Sequence, residues 1–133
     1  FCGAVGTGGM LKGVTLALRE AGSNARIVAL EPASSPTMTA GRGGAHRVEG
    51  IATGSIPPHM QDHPYDEART VDEQDARAMA RRLAREVGVF VGTSSGLNIA
   101  AAVKLAGELG PGNVVATVAV DSGLKYLAGD LYK

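Results

Sequence analysis

Two short runs of glycine and hydroxyl residues carry most of the chemistry this sequence can do: Gly6-Thr7-Gly8-Gly9 and Gly92-Thr93-Ser94-Ser95-Gly96. Each stands where an apolar, strand-like run passes into a segment with helical spacing. Glycines let backbone amides approach a ligand closely and adopt positive φ. A helix that starts at such a turn presents unpaired N–H groups and a partial positive charge, which suits an anion. Phosphate is the natural guest of the first turn, with Thr7 as an added hydroxyl donor. In the second turn one serine suffices as an N-cap, so the other is free to face a cleft. A neutral hydroxyl there can hydrogen-bond a heterocyclic nitrogen.

Other readings of the first turn stay on the table. A P-loop needs Lys and a hydroxyl residue after its last glycine; Gly3 and Gly8 have the right separation, but Gly9 and Met10 occupy those places. A dinucleotide fingerprint needs a small residue three places after Gly8, where Leu11 stands. Glu31, at the end of the second apolar run, nonetheless imitates the acid that binds a ribose, so the dinucleotide reading remains open. Either turn alone also reads as a tight strand-to-helix connection with no ligand.

The elements that must position these turns alternate along the chain. Residues 1–5 form a short apolar run. A helix follows over residues 10–20, with Leu11, Val14 and Leu18 on one face and Gly22 at its end. Residues 26–30 read as a buried strand that Glu31-Pro32 ends. Residues 33–68 hold no period, which marks a functional loop or lid, with short elements expected around 36–40 and 60–62. Asp72 opens a helix with acids in its first turn and Arg81, Arg82 and Arg85 toward its end. Its apolar stripe is Ala76, Met79, Ala80, Leu83 and Val87. Residues 89–91 read as a strand, 96–109 as a helix, 113–120 as a strand and 124–131 as a final helix. Near-continuous apolar strands separated by helices predict an α/β, doubly wound, mainly parallel sheet. Ligands of such sheets bind outside the carboxyl ends of the strands, where both turns and Asp121 fall.

Composition narrows the class. The 133 residues are 44% hydrophobic and 20% charged, with a formal net charge of zero. That balance fits one globular domain and offers no basic excess for nucleic acid. No apolar run is long enough to cross a bilayer. The single cysteine, Cys2, permits no internal disulfide and fits a reducing compartment, so a cytoplasmic location is expected.

Taken together, the turns and their order resemble the fold-type II pyridoxal-phosphate enzymes, most closely the cysteine synthase (O-acetylserine sulfhydrylase) and cystathionine β-synthase family. Gly6-Thr7-Gly8-Gly9 is similar to that family's phosphate loop, and Glu31-Pro32 to its strand end after the first helix. His46-Arg47-Val48-Glu49-Gly50-Ile51, continuing through Gly54 and Pro57, resembles its substrate-closing loop. Gly92-Thr93-Ser94-Ser95-Gly96 matches its second turn, and Asp121-Ser122-Gly123 with Tyr126-Leu127 its closing motif.

The resemblance implies that Gly6, Thr7, Gly8, Gly9 and Met10 hold the phosphate of pyridoxal 5'-phosphate and that Ser94 bonds its ring nitrogen. It places Gly50 and Ile51 at the mouth of the site, within a mobile substrate-closing region at 33–68. A neutral partner such as Ser94 leaves the ring a mild electron sink, suited to β-replacement. Residues 1–133 would form the carboxyl-terminal part of a tryptophan synthase β-like pyridoxal-phosphate domain, truncated at its amino terminus. The implied reaction joins an activated serine such as O-acetylserine with sulfide to give L-cysteine. Cystathionine β-synthase and serine/threonine dehydratase chemistry are the alternatives on this fold. A non-catalytic truncated or regulatory binding protein is the alternative of another class. The implied partners are a small amino-acid substrate and, at full length, a second copy in a homodimer, with neither nucleic acid nor membrane.

Two departures from the family pattern stand out. Met10 replaces a threonine, removing one hydroxyl contact to phosphate. None of Lys12, Lys104, Lys125 and Lys133 matches the position of the family's covalent lysine, which lies in a segment upstream. This chain by itself is therefore expected to be inactive, with no catalytic residue of its own. Among other residues, His59 and His63 have i, i+4 spacing, but the flanking prolines argue against a helix and no metal is expected. His46 reads as a structural or lid residue, Cys2 as a small core hydrophobe, and Tyr126 as packing with a phenol within reach of the sheet edge.

Overall fold

The computed structural model describes residues 1–133. Its centre is a parallel sheet of β1 (Cys2–Ala4), β2 (Val28–Pro32) and β3 (Glu67–Val71), in the order β1-β2-β3. Cys2 sits opposite Val28 and Ala4 opposite Leu30; Val28 in turn sits opposite Glu67. All five residues of β2 are buried, as expected for a strand covered on both faces. Val28 and Leu30 pack with Cys2, Ala76 and Leu97 on one face. Ile27 and Ala29 pack with Val5, Leu11 and Met60 on the other. The sheet is thus wound on both sides, as the apolar pattern predicts.

Helix α1 (Gly9–Glu20) covers the second face through Leu11 and ends at Ala21, with Gly22 at φ +72° just beyond. Helix α3 (Glu73–Arg82) starts where the Asp72 carboxylate accepts from the Gln74 amide, so the expected cap and dipole pattern is observed. It runs on as one π turn, Leu83–Val87, closed by Gly88. Of its expected stripe, Ala76 and Ala80 are buried and Val87 is exposed. Helix α4 (Thr93–Leu109) starts three residues earlier than its periodicity indicates and packs along α3. No helix is long and apolar enough to cross a membrane.

Four expectations need correction. Residues 67–71 form the parallel strand β3, at the end of a stretch read as structureless. Its Glu67 and Arg69 break the apolar run because they pair with each other at the outer edge of the sheet. Residues 89–91 make only an isolated bridge, between Val91 and Ser122. The final helix is a single 3-10 turn, Gly123–Tyr126. Residues 113–120 are extended beside β1 but form no continuous ladder; Cys2 N donates to the Ala116 carbonyl at 3.0 Å, and Thr117 Oγ1 donates to the Cys2 carbonyl at 2.8 Å.

The region at 33–68 holds two short elements close to where they were expected, α2 (Thr37–Ala40) and a 3-10 turn at Pro58–Met60. Glu31, buried at the end of β2, explains α2. Its carboxylate accepts from Met38 N at 2.8 Å and Thr39 N at 2.9 Å. It also accepts from the hydroxyls of Thr37 and Thr39. Glu31 is thus bonded within the fold and does not line the cavity described below, which removes the observation that kept the dinucleotide reading open.

Candidate active site

The sheet changes direction at β1. The chain moves from β1 to β2 and β3 on one side, then returns through α4 to place residues 116–118 on the other. A crevice at such a switch point, outside the carboxyl ends of the strands, is where open α/β sheets bind ligands. A cavity of about 500 Å³ opens there, within the usual range for a cofactor site. Gly6, Thr7, Gly8, Gly9, Met10, Ser94, Gly50 and Ile51 all line it. Eight residues singled out from three separate stretches of sequence therefore meet at one place.

The first turn is built by Gly8 at φ +84°, a left-handed conformation that glycine adopts without strain. α1 starts there with no side-chain cap. The Lys12 amide is the first to bond back, to the Gly8 carbonyl at 3.0 Å. The amides of Gly9, Met10 and Leu11 thus form the open first turn of the helix. Thr7 Oγ1 lies 3.5 Å from the Gly9 amide, a contact at the limit of a hydrogen bond. The Met10 side chain folds back toward Gly3, so its replacement of a hydroxyl residue leaves the turn's amides in place.

The second turn corrects one expectation. Neither Ser94 nor Ser95 caps α4; its N-cap is Gly92 and no side chain bonds the first turn. Ser95 Oγ instead accepts from the Val120 amide at 2.8 Å, tying the far wall of the cavity to the helix. Ser94 is buried and lines the cavity. Two helix N-termini without side-chain caps, each with its partial positive charge, thus open into one crevice.

Loop 46–52 closes one side. Val48 is anchored in the core, and the Ala52 amide donates to the Val5 carbonyl at 2.9 Å. His46 Nδ1 accepts from Val48 N at 3.2 Å, which leaves Nε2 to donate to the Ala52 carbonyl at 3.0 Å. His46 is thus a structural clasp of the loop. The Gly50 carbonyl sits so near Gly6 that a Cβ added there would lie 2.6 Å from it. The loop is docked against the first turn.

The remaining wall has groups that spacing alone did not single out. Glu49, Val118, Ala119 and Val120 line the cavity together with Asp121 and Tyr126. Tyr126 Oη donates to Asp121 Oδ2 at 2.8 Å, while Asp121 Oδ1 is buried without a partner. Burial, and then the neighbouring carboxylates of Asp121 and Glu49, push the Tyr126 phenol well above its ordinary pKa. Tyr126 is therefore more than packing. The basic side chains lie elsewhere: Lys12 pairs with Asp62 at 2.8 Å, and Lys125 lies 3.7 Å from Asp121 with its side chain largely exposed. His63 Nδ1 meets Tyr65 Oη at 3.1 Å.

Open helix-terminal amides at one end and a buried neutral hydroxyl on the wall fit a ring that carries a phosphate. An α/β enzyme with a cofactor crevice is the class this geometry defines. Comparison with known proteins gives the family. Residues 1–121 match the family described as pyridoxal-phosphate dependent enzyme. The chain belongs to that family, whose cofactor is pyridoxal phosphate. A cysteine synthase of Staphylococcus aureus is 42% identical over 132 residues, covering 99% of this chain and 43% of that protein. The hydrogen sulfide-producing enzyme of Fusobacterium nucleatum is 42% identical with a TM-score of 0.91, covering 100% of this chain and 40% of its own. An O-ureido-L-serine synthase is 36% identical with a TM-score of 0.93, covering 99% and 42%. The chain thus spans well under half the length of the relatives it matches.

Proposed function

We propose that this chain is the cofactor-holding part of a cysteine synthase, an enzyme that replaces the β-substituent of O-acetylserine, or a similar activated serine, with sulfide to give L-cysteine. The observation that carries this reading is the pair of open helix starts facing one crevice, with Ser94 buried on its wall. The amides of Gly9, Met10 and Leu11, with the Thr7 hydroxyl, hold the phosphate. Gly6 and Gly8 give that turn its shape. Ser94 bonds the ring nitrogen and, being neutral, does not impose a proton on it. When bound, the cofactor supplies an electron sink for the substrate's α-carbon.

The chain's own residues do the rest. Loop 46–52 covers the substrate end and excludes water, with Gly50 and Ile51 at the mouth. Val118, Ala119 and Val120 form an apolar wall that would flank the bound cofactor. Tyr126 keeps its proton at Oη and presents it to Asp121, so no phenolate forms beside Glu49. The covalent lysine and the groups that grip the substrate carboxylate belong to parts of a family-length enzyme beyond this chain's match. The relatives' names span cysteine synthase, hydrogen sulfide-producing enzyme and O-ureido-L-serine synthase, so choice of nucleophile is the finest part of the proposal.

Equilibrium dialysis tests the site. The chain is expected to take up pyridoxal phosphate, to release it to inorganic phosphate, and to take up pyridoxal far less well. Equal uptake of pyridoxal and its phosphate would overturn the assignment of the first turn. Borohydride treatment of the loaded chain is expected to fix no pyridoxyl group on any lysine; fixation on Lys12 or Lys125 would refute the claim that the covalent lysine lies elsewhere. In a family-length enzyme containing these residues, sulfide should outcompete homocysteine with O-acetylserine as substrate.

A further inference from the structure

Asn98 is completely buried, on α4 one turn beyond Ser94 and therefore on the same face of the helix. A buried amide is retained at a cost unless its donor and acceptor are both used. Here both are. The Ala4 amide donates to Asn98 Oδ1 at 2.8 Å, and Asn98 Nδ2 donates to the Val118 carbonyl at 2.9 Å. The partners fix the orientation of the amide, since an N–H faces its oxygen and a carbonyl faces its nitrogen.

The two partners are the next rungs of a ladder that has been interrupted. Two residues earlier, Cys2 N bonds the Ala116 carbonyl directly at 3.0 Å. In a parallel pair the following bond would run from Ala4 N to the Val118 carbonyl. The side chain of Asn98 stands between those groups and satisfies each of them in place of a peptide unit. β1 and residues 116–118 therefore part at the position where the crevice opens, and both Ala4 and Val118 line it.

The geometry points to Asn98 as the positioning residue that sets the width of the cofactor crevice, and with it the span between the phosphate turn after β1 and the ring end at Ser94. This rests on the cofactor reading given above and goes beyond it, because Asn98 itself does not line the cavity. A ligand that engages both ends feels the span; a ligand that engages one end does not.

That difference supplies the test. Dissociation constants for inorganic phosphate and for pyridoxal phosphate are measured on the full chain and on Asn98→Ala, in which Ala4 N and the Val118 carbonyl can join directly. Affinity for pyridoxal phosphate is expected to fall at least about tenfold, the scale of one lost hydrogen bond, with phosphate changed by less than about twofold. Asn98→Gln retains donor and acceptor on a longer stem, so it is expected to show the same selective loss; wild-type affinity in that variant would overturn the spacing role. Leu105→Ala, in the core two turns away on the same helix, serves as the stability control and should leave the ratio of the two constants unchanged. A proportional loss of both ligands in Asn98→Ala, or no loss of either, would also overturn the inference. A wild-type chain that takes up neither ligand would sink the cofactor reading itself, and the inference with it.

Discussion

Gly6 shows how little room the site leaves a single atom. Its missing Cβ would stand 2.6 Å from the Gly50 carbonyl, well inside van der Waals contact. Gly6→Ala should therefore push loop 46–52 off the first turn while leaving the sheet intact. Limited proteolysis is the measurement: cleavage between residues 46 and 56 should accelerate several-fold, and an unchanged rate would show that the docked loop is not held by this contact. Tyr126 gives a second prediction at this scale. Its folded-state pKa is raised by burial first and by Asp121 and Glu49 second. The stabilisation that accompanies a raised pKa is fully present below the unfolded value, about 10, and is lost as pH climbs toward the folded value. The wild-type melting temperature should thus fall above about pH 10 more steeply than that of Tyr126→Phe. Parallel pH profiles of the two would contradict the assignment.

The helices carry a contrast between glycines that look alike in sequence. Gly96 lies where α4 crosses α3, and a Cβ there would meet the Ala76 carbonyl at 2.1 Å. Gly13, on the outer face of α1, has open space around it. Gly96→Ala should destabilise by about 1–3 kcal/mol through overpacking, whereas Gly13→Ala should stabilise by about 0.5–1 kcal/mol. Urea denaturation of the two variants decides it; equal effects would mean the helix crossing is looser than described. Helices were also the most legible elements. Leu11 and Leu18, or Asp72 and Ala76, announce a face and a start by spacing alone. Strands were less legible for a physical reason. β3 at the sheet edge mixes Glu67 and Arg69 into its pattern, so it lacks the apolar run of a central strand. Residues 113–120 have that run, yet the ladder stops where Asn98 intervenes. Glycine turns name the site because their chemistry is local. Asn98 and the bond between Ser95 and Val120 were not legible, since each depends on a partner far away in sequence.

At the scale of the whole molecule, the most consequential surface is the one beyond residues 113–120. Val114, on that extended segment, is 91% exposed, a bare apolar side chain beside an unpaired backbone edge. Such edges associate with other chains unless charge or covering blocks them. The sedimentation coefficient of the chain should therefore rise with concentration, and Val114→Lys should suppress the rise. A monomer at every concentration tested would show that the edge is inert. Cys2 offers a different use of the same architecture. It is the chain's single cysteine, buried between β1 and α4 with its Sγ 4.0 Å from the Asn98 carbonyl, and burial raises its pKa. A thiol in that state reacts with an alkylating reagent only when the seam between strand and helix comes apart. The molecule thus carries its own clock: the rate at which Cys2 becomes labelled, with and without cofactor, reads out how often the floor of the crevice opens and how far a bound ligand holds it shut.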